Sequence, residues 1–279
     1  MRSFDYIESG KTLLTPHTTS LLAAIHEAKG RQSIQTTIRP DILGTLVAVA
    51  RIQSTDASNR IEGISTSDSR LNDLVSEKVT PRNRNEEEIA GYRDALSVIH
   101  ESHDYIPITP NVILQLHRDL FRHTPLTFAG HFKDSDNVII ERDAHGTSTV
   151  RFAPPSALVT PELIERACSA YTQAIRDGHT DPLLAIAMFI LDFTCIHPFN
   201  DGNGRMSRLL TLLMLCRNGY MVGKYISIEH LIEQSKSTYY EALAASTQGW
   251  DDNANDYRAI HELPAWHHTV RVQGTSTNA

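Results

Sequence analysis

Strand signal is what this sequence most lacks. Runs that alternate polar and apolar residues are nearly absent, which excludes a sandwich or barrel and leaves helices joined by short turns. Cysteine is scarce. The three present (Cys168, Cys195, Cys216) form no CxxC pair, so a disulfide framework is excluded and a reducing, cytoplasmic setting is expected. No apolar run approaches the roughly 20 residues that span a bilayer, the longest being Leu183 to Leu191. The first residues, Met1 to Tyr6, lack the apolar segment of a secretory signal. Excess positive charge is also missing. A net charge of −7 argues against nucleic acid or an anionic membrane as a partner of the whole surface. The 14 histidines include no HExxH and no paired Cys/His spacing, which removes the usual zinc sites. Ser9-Gly10-Lys11-Thr12 imitates the end of a P-loop, but Asp5 stands where the first glycine belongs and no strand precedes it.

What is present is helical periodicity. Apolar positions recur at helical spacing in a first region from about Thr19 to His100, notably over Ile42 to Ala50 and Glu86 to Ile99, with Thr80-Pro81-Arg82-Asn83 as a turn. Pro110 to Phe121 and Pro161 to Arg176 read as two further helices. Between them lies one hairpin, Asn137 to Ile140 and Thr149 to Phe152 around Asp143-Ala144-His145-Gly146. Thr180-Asp181-Pro182 starts a helix that is apolar on most sides and must stop near Ile196, because Pro198 disfavours helix at His197. Another apolar helix starts near Arg205 and ends at Asn218-Gly219. The fold class expected is all-α with one small β-hairpin.

The segment joining those two apolar helices carries the chemistry. Gly202 and Gly204 bracket Asn203, a turn that presents several N–H groups to one point at a helix N-terminus, where an anion is favoured. Arg205 and Arg208 lie three apart on one helical face, and two guanidinium forks beside an amide nest suit a polyphosphate. Asp201 is a hard oxygen ligand next to the nest, of the kind Mg²⁺ takes. His197 is the nearby group able to accept a proton near neutral pH.

Residues 197–208, His-Pro-Phe-Asn-Asp-Gly-Asn-Gly-Arg-Met-Ser-Arg, resemble the Fic family motif His-x-Phe-x-(Asp/Glu)-Gly-Asn-Gly-Arg-x-x-Arg at every specified position. Leu116-His117, Gly130-His131-Phe132-Lys133, Pro154-Pro155 and Ser237 to Leu243 agree with that family in placement, so the resemblance extends over roughly Ile52 to Tyr257. It implies a helical Fic core and a protein adenylyltransferase using ATP and Mg²⁺. His197 would deprotonate a Ser, Thr or Tyr hydroxyl, and Asp201 would hold Mg²⁺ on the α- and β-phosphates. Gly202, Asn203 and Gly204 would bind phosphate oxygens, Arg205 would support the β-phosphate and Arg208 would take the γ-phosphate. Tyr239 and Tyr240 would close the adenosine pocket. The hairpin would be the flap that holds a segment of a target protein, this chain itself included, by main-chain pairing. An oligomer of identical chains is compatible with this.

Upstream, Ser58-Asn59-Arg60-Ile61-Glu62-Gly63 resembles the family's inhibitory motif, (Ser/Thr)-x-x-x-Glu-(Gly/Asn). A short helix ending at Gly63 would aim Glu62 at an arginine. The chain thus divides into an N-terminal helical region at 1–105 with an inhibitory helix near 54–63, a core at 106–250, and a tail at 251–279. The tail departs from the family pattern after Tyr257, and His267-His268 reads as solvated. Three rivals stay open: a Fic-like kinase, although Gly204 stands where that group has lysine; transfer of UMP or phosphocholine; and a non-catalytic binding module.

Overall fold

The computed structural model describes residues 2–38, 40–142 and 148–258. In chain order the elements are α1 (Tyr6–Leu13), α2 (Pro16–Ile38), α3 (Pro40–Ile61), α4 (Asp68–Val75), α5 (Arg84–Ser102), α6 (Pro110–Leu120), β1 (Ile139–Arg142), β2 (Ser148–Phe152), α7 (Thr160–Asp177), α8 (Pro182–Ile196), α9 (Asn203–Arg217), α10 (Val222–Tyr225), α11 (Ile228–Gln234) and α12 (Lys236–Thr247). The two strands pair antiparallel, with an irregularity between Ile139 and Ile140. Among the described residues this all-α architecture with one hairpin agrees with the expectation. The hairpin tip and everything after Arg258, His267-His268 included, lie outside the described residues.

Helices α8 and α9 pack together at the centre, and nearly every side chain on them is buried. An apolar surface all round a helix can be satisfied only in a core. Helix α7 covers α8, while α5 packs on both α6 and α9. Asp181 caps α8 by accepting from the Leu183 N–H at 2.9 Å, with Pro182 in the first helical position. The Ser9-Gly10-Lys11-Thr12 stretch lies inside α1, with Gly10 against Thr180, and forms no phosphate loop.

The two ends of the described chain meet over α8. Asp192 is fully buried and accepts from Arg2 Nη2 (2.9 Å), Tyr6 OH (2.8 Å), Trp250 Nε1 (2.6 Å) and Tyr257 OH (2.9 Å). Burial pushes the Asp192 carboxyl upward, opposed by the Arg2 charge and these donors. Nothing in the local sequence around Arg2 announces this long-range anchor.

Two expectations are corrected. The helix ahead of the inhibitory motif is not short: α3 runs for 22 residues and ends at Ile61, leaving Glu62 and Gly63 in the turn beyond it. Gly63 adopts φ +78°, which stops the helix, and Gly63 N–H donates to the Arg60 carbonyl. Helix α9 starts at Asn203, two residues before Arg205, because Gly202 supplies the left-handed residue in front of it (φ +82°).

Candidate active site

Helix α8 stops at Ile196, and His197 takes a left-handed conformation (φ +48°, ψ +62°). That backbone is uncommon for a residue with a Cβ, and it turns the chain out of the core at the imidazole. The loop is then fixed from inside. Phe199 is fully buried, and the His117 ring of α6 stacks on it at 3.7 Å with an interplanar angle of 1°. Gly130 N–H donates to His117 Nδ1 at 2.9 Å, so the ring proton sits on Nε2 and is donated to the Asp201 carbonyl at 3.1 Å. Burial brings His117 to about 4, so this donor geometry persists at neutral pH. Asn203 completes the loop by accepting from Phe199 N–H (2.9 Å) and donating to Phe199 C=O (2.8 Å).

The charged residues converge on the mouth of this loop. The Asp201 carboxylate is 45% exposed, with Arg205 Nη2 and Arg84 Nη2 each 3.6 Å away. Arg205 is buried, bonded through Nη1 to Glu88 of α5 at 2.6 Å and stacked over the Phe121 ring at 5.0 Å. Arg208 is also buried. Its Nε donates to Ser58 Oγ (2.8 Å), and Nη2 donates to Ser58 C=O (2.9 Å) and to Glu62 Oε1 (2.7 Å). Glu62 leans over the nest so closely that a Cβ on Gly204 would lie 2.3 Å from its Oε1. A side chain at position 204 would therefore expel this carboxylate. The Glu62 carboxylate thus lies between Gly204 and the Arg208 guanidinium.

His197 itself is half-buried and held near pH 4, first by burial and then by the Lys133 charge, against the opposite pull of the Thr194 carbonyl and Glu62. It is therefore neutral at physiological pH, as a base must be. Tyr239 and Tyr240 of α12 meet edge to face at 5.6 Å, close enough for the Arg208 and Glu62 charges to act on both phenols. The residues of the 197–208 loop, with Ser58, Glu62, Tyr239 and Tyr240, thus lie at or beside one place. Residues with no role assigned from the sequence join them: Lys133, Asn137, Glu88, and the pair Tyr92 and Glu229. Glu229 is buried on α11 and accepts from Ser54 Oγ of α3 (2.7 Å) and Tyr92 OH of α5 (2.9 Å). Glu88 and Tyr92 had a readable signal, since both interrupt the apolar face of α5; Lys133 was visible only by its placement in the family pattern and Asn137 only as the start of the hairpin.

A metal test rests on the donors present. Among the described residues no three His, Cys, Asp or Glu side chains gather as a metal cage. One half-exposed carboxylate beside an anion nest is instead what Mg²⁺ uses when phosphates and waters supply its remaining ligands. Asp201 fits that role.

Fold and site together define a helical domain with a glycine-rich turn, a neutral histidine and a partly exposed carboxylate on one buried helix–loop–helix. Residues 107–215 match the Fic/DOC family model. It is 28% identical over 198 residues to a protein adenylyltransferase, fic-1, of Caenorhabditis elegans, covering 68% of this chain and 34% of that one. It is 37% identical over 90 residues to a Fido domain-containing protein of Dictyostelium discoideum, covering 31% and 58% respectively. The chain thus spans less than two thirds of the length of these curated relatives. In fold it is similar to a solved Fic family protein from Desulfovibrio desulfuricans, with TM-score 0.75, 24% identity, and coverage of 95% of this chain and 76% of that one. Among the described residues no helix is long and apolar enough to cross a membrane.

Proposed function

We propose that this chain is a protein adenylyltransferase that moves AMP from Mg·ATP to a Ser, Thr or Tyr hydroxyl of a protein and is held back by Glu62. The observation that carries the reading is the Glu62 carboxylate seated against Gly204 and paired with Arg208: an anion already stands beside the glycine turn, with a partly exposed carboxylate, Asp201, three residues before Gly204 and a neutral imidazole, His197, eleven before Arg208. His197 takes the hydroxyl proton, the hydroxyl oxygen forms a bond to the α-phosphorus, and the bond from that phosphorus to the β-phosphate bridging oxygen breaks, releasing pyrophosphate. The Gly202-Asn203-Gly204 backbone and Arg208 bind phosphate oxygens. Buried Arg205, held by Glu88, contributes positive charge beside Asp201 rather than a free fork. Bound at Asp201, Mg²⁺ would offset charge on the α- and β-phosphates.

The hairpin supplies the place for a target. Ile140 and Val150 are paired across the strands and exposed, with exposed Val138 just ahead of β1, an apolar edge suited to an extended peptide. Glu62 competes for the cation that the γ-phosphate needs, so ATP would bind with its α-phosphate out of line for attack. Incubation with Mg²⁺ and either α-³²P-ATP or γ-³²P-ATP, with mass spectrometry of the products, tests the reading. Label from α-³²P-ATP and an added adenylyl group are expected. Label from γ-³²P-ATP alone would make the chain a kinase, and an unmodified protein bound to nucleotide would make it a binding module.

A further inference from the structure

Four successive carbonyls of the His197 turn are held by one short segment that leads into the hairpin. Lys133 Nζ donates to Ile196 C=O at 3.2 Å, and Lys133 N–H donates to Pro198 C=O at 2.8 Å. Asn137 Nδ2 reaches His197 C=O at 3.4 Å and Phe199 C=O at 3.3 Å, while Asn137 Oδ1 accepts from Lys133 Nζ at 2.9 Å. Lys133 is buried at 3% exposure, and its ammonium bonds to two neutral oxygens rather than to a carboxylate. Asp136 acts on this ammonium through its charge without bonding to it, and burying an ammonium with no directly paired carboxylate is costly unless the site is shaped for it. Here the site is the C-terminal end of α8, where carbonyls lack helical partners and the helix dipole favours a cation.

We propose that Lys133, braced by Asn137, is a positioning residue for His197: it fixes the left-handed turn that carries the imidazole and sets a buried positive charge beside it. The inference rests on the reading of His197 as the base. Two consequences follow from the chemistry. A strained turn with its carbonyls satisfied from outside keeps the ring pointed the same way through the reaction, as base catalysis requires. A cation next to the ring disfavours imidazolium and keeps the base available at lower pH. Burial lowers Lys133 itself to about 8, so it is charged throughout the range in which His197 titrates. The charged groups that act on the ring are Lys133 and, in the opposite sense, Glu62.

The test is an NMR titration of the His197 ring in the full chain, assigned by difference from His197→Ala, for wild type, Lys133→Met and Lys133→Arg. Lys133→Met is expected to raise the midpoint by about one pH unit, and Lys133→Arg to leave it near the wild-type value. An unchanged midpoint in Lys133→Met, or an equal rise in Lys133→Arg, would overturn the charge assignment. Asn137→Ala keeps the charge and loosens the turn. It is expected to lower kcat by roughly tenfold with KM for ATP unchanged, and an unaltered kcat would overturn the positioning role. The NMR result stands whether or not the chain transfers AMP, so failure of the catalytic reading (full transfer by His197→Ala) is distinguishable from failure of this one.

Discussion

The turn that carries His197 and the turn that carries Glu62 face each other across Arg208, and they are secured very differently. The His197 turn is tied through ring stacking on His117, a two-way clasp from Asn203, and donors from Lys133 and Asn137, almost all of it buried. Glu62 follows the last residue of α3, its side chain is a third exposed, and its described side-chain bond is the single one to Arg208. What holds α3 itself is separate from Glu62: Ser58, Ser54 and the buried Glu229 further back, and at its end Arg60 on Glu233 (3.0 Å) and Lys236 on the Ile61 carbonyl (3.2 Å). The contrast separates an element built to stay from an element that can leave: losing one partly exposed ion pair removes the carboxylate while the bonds that fix the His197 turn stay in place.

That contrast can be broken from either side. The largest effect is expected from the secured side. In a Glu62→Gly background, His197→Ala should lower AMP transfer by about 10²–10⁴-fold while ATP affinity measured by calorimetry changes little. Transfer near the parent rate would contradict the role of the base. A smaller effect concerns stability. His100, His117 and His197 are each brought to about 4, by burial in the first place, against an ordinary value near 6.5. Their folded values are depressed, so the unfolded chain binds more protons between those limits. Their contribution is complete above pH of roughly 6.5 and is lost as pH falls toward about 4. Tm measured from pH 7.5 down to 4.5 should decline steadily, with proton uptake on unfolding near pH 5.5. A flat Tm across that range would contradict the neutral, buried histidines.

Much of this was legible in the sequence, for reasons that differ by residue. The 197–208 loop is contiguous, so its chemistry is written in one stretch. The all-α fold follows from the apolar run over α8 and α9, and the stop at Ile196 follows from Pro198. Glu62 was legible only because its motif sits one helical turn after Ser58; the length of α3 and the turn at Gly63 were not, since helix boundaries depend on packing against α5 and α11. His117 and Lys133 were visible only by placement in the family pattern, and their supporting roles were not. Lys133 and His117 lie 64 and 80 positions before His197, and no local pattern says that a buried lysine will cap α8. The clasp of Arg2 on Asp192 is a tertiary event of the same kind.

The most direct measurement is the initial rate of α-³²P-AMP incorporation by wild type, Glu62→Gly and Glu62→Gly/Arg208→Ala. A partly desolvated pair such as Glu62–Arg208 biases the site by about 1–3 kcal/mol, so Glu62→Gly should be faster than wild type by roughly ten- to a hundredfold. The double variant should lose that gain, because the freed carboxylate position is useful only if Arg208 is there to take the γ-phosphate. Equal rates for wild type and Glu62→Gly, or a gain that survives the loss of Arg208, would contradict the account.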